Sequence, residues 1–104
     1  MKIKELTTIG FKLTPKKDYY YYIQDHFYLL LQVLPHHKIA LLLTTEDTKT
    51  QRDILEQFFI KRDAVERIYS NEEGAGLVLS SSIKKEELKE IVLKLKEEIN
   101  QSPQ

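Results

Sequence analysis

Cysteine is absent from the 104-residue chain. That excludes disulfide staples and thiolate chemistry, and it fits a reducing, cytoplasmic setting. Net charge is absent as well, since sixteen basic and sixteen acidic side chains cancel, whereas nucleic-acid binders concentrate positive charge on one surface. The bias along the chain is slight. Residues 1–38 hold six lysines against Glu5, Asp18 and Asp25, and residues 39–104 hold ten basic against thirteen acidic side chains. An offset of that size helps at most to orient two docking partners. Long apolar runs are missing too: Phe27 to Leu31 and Ile39 to Leu43 are strand-length, far below the ~20 residues of a membrane-spanning helix. The N-terminal lysines are followed by no apolar stretch of the signal-peptide kind, so no such segment is expected. Neither a 20–50-residue repeat nor a low-complexity segment is present.

The chain is equally short of catalytic patterns. His26, His36 and His37 are its only histidines. His26 and the His36-His37 pair fall at opposite ends of one expected strand, about 20 Å apart at ~3.3 Å per residue, and no carboxylate is placed to complete a tetrahedral ligand set. Gly74-Ala75-Gly76 is followed by strand-like residues rather than a helix N-terminus, and it lacks the lysine of a phosphate loop. The Ser80-Ser81-Ser82 run has no G-x-S-x-G context and reads as a helix cap. The acidic pairs Glu46-Asp47, Glu72-Glu73 and Glu86-Glu87 sit at element ends, where they suit helix N-termini or solvent. No catalytic residue, cofactor or metal is expected, and the chain does not read as an enzyme.

Strand formers, by contrast, are plentiful. From Tyr19 to Thr45 the chain is aromatic, β-branched and leucine-rich, with Asp25-His26 marking one hairpin loop and Pro35 opening a second turn through Leu34, His36 and His37. Three antiparallel strands follow: Tyr19 to Gln24, Phe27 to Leu34 and Lys38 to Thr45. Before them, Ile3 and Leu6 lie one helical turn apart, and Gly10-Phe11 resembles a helix stop. The rival reading of that segment is a strand, since Thr7, Ile9, Phe11 and Leu13 alternate with smaller or polar residues. Thr45 or Asp47 can cap a helix from about Thr48 to Arg62 with an Ile54, Leu55, Phe58 and Phe59 stripe. Ala64 to Ser70 and Gly76 to Ser82 form a further hairpin. A last helix carries Leu88, Ile91, Val92, Leu95 and Ile99 at helical spacing.

The expected architecture is α+β with two layers: a twisted antiparallel sheet of about five strands with helices on one face, in the order α-β-β-β-α-β-β-α. Residues 1–100 form one domain, and 101–104 a polar tail or the start of a linker. With two-residue loops throughout, one sheet face collects Tyr19, Tyr21, Ile23, Tyr28, Leu30, Leu34, Ile39, Leu41 and Leu43. The other collects Tyr20, Tyr22, Phe27, Leu29, Leu31, Val33, Ala40 and Leu42. An antiparallel sheet normally alternates apolar inward with polar outward, so a sheet apolar on both faces is expected to be covered twice. Helices cover the first face and bury Leu30, Leu41, Phe58, Phe59, Ile91 and Leu95. The second face, through Tyr20, Tyr22, Phe27, Leu29 and Leu31, is expected to bind a second copy or a partner segment.

This element order resembles the type III secretion chaperone-like fold, in which a twisted antiparallel sheet carries helices on one side and chains commonly pair. The resemblance spans nearly the whole chain at the level of topology. The resemblance implies the fold and chains that pair. The sheet apolar on both faces, the lack of catalytic patterns, the zero net charge and the short apolar runs together lead to the expectation of a non-catalytic protein-interaction module, homodimeric or bound to a partner, with no nucleic acid and no membrane insertion. A regulatory or accessory domain of a longer protein, and less readily a nucleic-acid-binding α+β domain, stand as the other readings. From Ile39 onward the order also overlaps with ferredoxin-like folds lacking a closing strand.

Overall fold

The computed structural model describes residues 4–24, 27–44 and 48–101. Along the chain lie helix α1 (Lys4–Ile9), strands β1 (Lys12–Leu13), β2 (Tyr19–Gln24), β3 (Phe27–Val33) and β4 (Ile39–Thr44), helix α2 (Thr48–Phe59), strands β5 (Val65–Asn71) and β6 (Gly74–Leu79), and helix α3 (Lys85–Gln101). The strands pair antiparallel throughout in one six-stranded sheet of order β1-β2-β3-β4-β6-β5. The expected α+β architecture is present, with one short strand more than expected. Asp25-His26 and the residues expected to cap α2, Thr45 and Asp47, lie outside the described residues.

The helix reading of the N-terminal segment holds over Lys4–Ile9, and of the rival strand through Thr7 to Leu13 only Lys12–Leu13 forms. Gly10 adopts φ +123°, and the Phe11 N–H donates to the Leu6 carbonyl at 3.1 Å. This is the six-to-one bond of a helix ended by a left-handed glycine, and Leu6 and Phe11 make its apolar clasp, both buried. A side chain at position 10 would meet the Tyr22 ring at 2.9 Å, so the glycine serves the packing of β2 as well as the turn. The chain then extends into β1, where Lys12 pairs with Tyr21 and Leu13 with Tyr20.

The β3–β4 connection departs from expectation. Val33 pairs with Ile39 and Leu30 with Leu42, and the Leu34 N–H reaches the Lys38 carbonyl at 2.8 Å. The loop therefore contains three residues, Pro35, His36 and His37, instead of two, and both histidines turn through φ +63°. One extra residue moves β4 by one position relative to β3. Because side chains alternate along a strand, that slip exchanges the two faces of β4. Leu41 lies beside Leu31, and Leu42 beside Leu30.

The serine run also behaves differently from a cap. Ser80 Oγ accepts from the Ser82 N–H at 3.2 Å and lies 2.8 Å from Ser82 Oγ, while the Ser80 carbonyl accepts from the Ile83 N–H. The serines thus form a turn ahead of α3. The helix entry is held instead by buried Ile83 just before it and buried Leu88 one turn in, with Glu86 and Glu87 in the first turn favoured by the helix dipole. Helix α2 ends at Phe59, three residues short of the expected boundary. The hairpin after it closes on Glu72-Glu73, where the Asn71 Oδ1 accepts from the N–H groups of Glu73 and Gly74.

One cluster forms the core. It joins Leu6 and Phe11, Leu55 and Phe59 of α2, and Leu88, Ile91, Val92 and Leu95 of α3 to Tyr20, Tyr22, Phe27, Leu29, Leu31, Leu41, Leu43, Leu77 and Leu79 of the sheet. All three helices thus draw on the same sheet face.

Candidate interaction face

The side chains expected to bind a partner line that core. Tyr20 and Tyr22 are buried, Phe27 is 2% exposed, and Leu29 and Leu31 are 0% exposed. Tyr22 meets the rings of Phe11 and Phe27 at centroid separations of 5.6 and 6.0 Å. The sequence reading therefore assigned β2 and β3 correctly to two faces but chose the wrong one as uncovered. The five residues are brought together in the core, beneath the chain's own helices. Leu30, expected in the core, lies on the opposite face, and Phe58 is only half-buried at the core's margin. Leu41, Phe59, Ile91 and Leu95 are buried as expected.

The face that the core cluster does not use is built by three cross-strand rows. Tyr19, Gln32, Ala40, Val78 and Arg67 form the first, and Tyr21, Leu30, Leu42, Gly76 and Tyr69 the second. Ile23 and Tyr28 begin the third, which ends at Gly74 and Asn71. Ala40, Leu42 and Val78 are 8%, 6% and 6% exposed yet fall outside the core cluster. Their cover comes from larger neighbours on their own face. The Tyr69 ring lies flat on the sheet across Gly76: a side-chain carbon at position 76 would sit 2.6 Å from Tyr69 Cζ and 2.7 Å from its hydroxyl, and closer still to the Leu41 carbonyl oxygen. A strand glycine that admits an aromatic ring from the next strand is a recurrent device in sheets.

Between Tyr19 and Tyr69 the face hollows into a cavity of about 250 Å³, floored by Ala40, Leu42 and Val78 and rimmed by Leu30, Gln32, Leu34, Arg67, Asn71 and Glu73. Burial pushes the Tyr69 phenol pKa up from 10.0; the Arg67 guanidinium opposes the shift and the Glu73 carboxylate adds to it. These two charges flank the ring without pairing with each other, and neither has an ion-pair partner among the described residues. At the strand ends beyond them Lys38 and Glu66 form a 3.0 Å pair. Beside the cavity Ile23 stands 59% and Tyr28 37% exposed.

Tyr69, Arg67 and Val78 are not singled out by the sequence analysis, because a bulge interrupts the alternation of their strand pair. A usable signal was nonetheless there. Val65, Ile68 and Ser70 face the core side, while Arg67, Tyr69 and Asn71 alternate outward, after a bulge between Val65 and Arg67. Among the described residues no group of three potential metal ligands converges, and no helix is long and apolar enough to cross a membrane. His36 and His37 are exposed in their turn. No protein-family model, curated protein or solved structure matches the chain at a significant level.

Proposed function

We propose that this domain is a non-catalytic protein-interaction module whose contact surface is the sheet face of Tyr21, Leu30, Leu42 and Tyr69. The observation that carries the reading is the apolar floor of Ala40, Leu42 and Val78, which lies outside the core cluster and, among the described residues, on the sheet face opposite the helices. Five full strands at ~4.8 Å spacing and about six residues at ~3.3 Å each give a plane of ~500 Å². The plane is mixed, with Gln32, Arg67 and Asn71 beside Tyr21, Leu30, Leu42 and the exposed Ile23 and Tyr28, which is the composition of an interaction surface rather than of a core. A polypeptide suits this surface better than a nucleic acid, because the cations of the face, Lys12, Lys38 and Arg67, are dispersed and accompanied by Glu66 and Glu73 rather than forming a basic stripe. The cavity's polar groups are two phenols, a guanidinium, two carboxamides and a single carboxylate, without a nucleophile-and-base pair, which supports binding rather than turnover.

Light scattering coupled to size exclusion, with titration of an apolar fluorescent dye, tests the reading. A contact face yields either a mass above 12.3 kDa or a monomer that binds the dye and loses that binding on Tyr21→Lys. A dye-indifferent monomer overturns it.

A further inference from the structure

Resting on that reading, we infer that the partner is a second copy of this chain, packed face to face about a two-fold axis lying along the Tyr21–Leu30–Leu42–Gly76–Tyr69 row. Three observations on this face converge on that geometry. The first is electrostatic. Arg67 lies in the row on one side of Tyr69, and Glu73 lies in the turn beyond Asn71 on the other. Both are unpaired among the described residues. A two-fold axis along the middle row carries each residue to the far side, so Arg67 of one copy meets Glu73 of the other, twice, and a neutral face becomes self-complementary. The second is shape. The same rotation sets the exposed Ile23 and Tyr28 of one copy over the Tyr19 and Gln32 side of the other, where the 250 Å³ cavity opens. The knobs lie in one outer row and the Tyr19 and Gln32 edge of the hollow in the other, as an isologous contact requires. The third is the middle row itself, where Tyr21, Leu30, Leu42 and Tyr69 meet their own copies, while the row's one charge, Lys12 beside Tyr21, stands exposed on the edge strand at the rim of the contact.

Area sets the strength. About 500 Å² of plane per copy gives ~1,000 Å² for the pair, at the low end of specific interfaces. The expected dimer therefore dissociates in the micromolar range, and its equilibrium is measurable by sedimentation.

The test is a charge swap at the two exposed positions, where substitution leaves the core untouched. Sedimentation equilibrium of the whole chain is run for the parent, Arg67→Glu, Glu73→Arg and the double variant. Each single reversal places like charges opposite one another at both symmetric sites and is expected to weaken the dimer at least ~10-fold. The double variant restores opposite charges and should recover to within a few-fold of the parent. A dimer indifferent to the single reversals, or one the double variant fails to rescue, overturns the two-fold arrangement. A chain that stays monomeric at 100 micromolar (roughly the top of the range set by the area) but binds dye through Tyr21 overturns self-association and leaves the interaction-face reading standing. A monomer without dye binding overturns both.

Discussion

Replacing Gly76 by alanine adds a single methyl group at the centre of the open face, and the surroundings decide its effect. Ordinary contact for a side-chain carbon begins near 3.4 Å, whereas the added group falls 2.6 Å from Tyr69 Cζ and 2.7 Å from its hydroxyl. The ring must lift by about 0.8 Å or swing off the sheet, uncovering Leu42 and the cavity floor. If ~50–80 Å² of apolar surface returns to water at ~25 cal/mol/Å², the loss is ~1–2 kcal/mol. The Leu41 carbonyl oxygen is closer still and belongs to the neighbouring strand, so β4 and β6 must also separate locally. Alanine recovers ~0.5–1 kcal/mol through the smaller entropy cost of fixing its backbone. The net expectation is a destabilisation of ~1–3 kcal/mol, typical of overpacking. With a urea slope of ~1–1.5 kcal/mol/M for a domain of this size, the unfolding midpoint should fall by ~0.7–3 M. Tyr69→Ala in the same chain separates the two obstacles. If the ring is the main one, the double variant loses much less than the sum of the single losses; if the carbonyl is, the losses add. An unchanged or raised midpoint for Gly76→Ala would refute the packing described for this face.

Three further outcomes follow from the same geometry. Phe59→Ala should cost ~3–5 kcal/mol, a large share of the ~5–15 kcal/mol available to such a domain, whereas Phe58→Ala should cost ~1–2 kcal/mol, since that ring is half-buried beneath Lys94, whose Nζ stands 5.0 Å from its centroid; equal urea midpoints for the two variants would contradict the core assignment. Burial raises the Tyr69 pKa in the folded state above 10.0, so its neutral form contributes stability that is complete below pH ~10 and is lost as pH rises through the folded value. Unfolding midpoints of the parent should fall more steeply above that pH than those of Tyr69→Phe, and parallel curves would count against it. His37→Gly should raise the midpoint by the equivalent of ~0.5–1 kcal/mol, because a non-glycine residue at φ +63° bears a steric cost that glycine does not; a lowered midpoint would show that the imidazole itself holds the turn.

Much of this architecture is written locally. Leu6, Gly10 and Phe11 spell a helix end whose hydrogen bond and apolar clasp are both present. Leu88, Ile91, Val92 and Leu95 repeat at a period that leaves one face for the core. The β2–β3 partners, Tyr21 with Leu30 and Tyr19 with Gln32, match a two-residue loop. What local pattern did not carry is the choice between two nearly equal apolar faces. Tyr20, Tyr22, Leu29 and Leu31 are no more apolar than Tyr19, Tyr21, Ile23 and Leu30, so which set meets the helices is decided only when β4 and β6 join the sheet.

That decision passed through one residue in a turn. Pro35 suits the second position of a four-residue turn, which predicts a two-residue connection and pairs Leu30 with Leu41. The chain spends a third residue instead, with both histidines in the left-handed region, where neither is intrinsically favoured. Shifting β4 by one then places Ile39, Leu41 and Leu43 beside Leu29 and Leu31, and Ala40 and Leu42 beside Leu30. In this register the polar members separate cleanly. Gln32 and Lys38 fall on the open side, while the core side keeps only Gln24, at a strand end where it is exposed and bonds the Tyr22 hydroxyl at 2.6 Å. In the other register Gln32 would lie on the face of Leu41 and Leu43, and Lys38 would join Gln24 on the face of Leu29 and Leu31, so helices sealing the first face would cover an amide and those sealing the second would meet an ammonium group. The strain of two left-handed histidines, ~1–2 kcal/mol each, is small beside the burial of Leu41 and Leu43 at ~1.5–3 kcal/mol per side chain together with the avoided burial of an unpaired amide or ammonium group. The turn therefore yields to the sheet. The same slip leaves small Ala40, Leu42 and Val78 as the floor of the open face, beneath Tyr69 and between the lone charges of Arg67 and Glu73, which is where a partner's side chains find room.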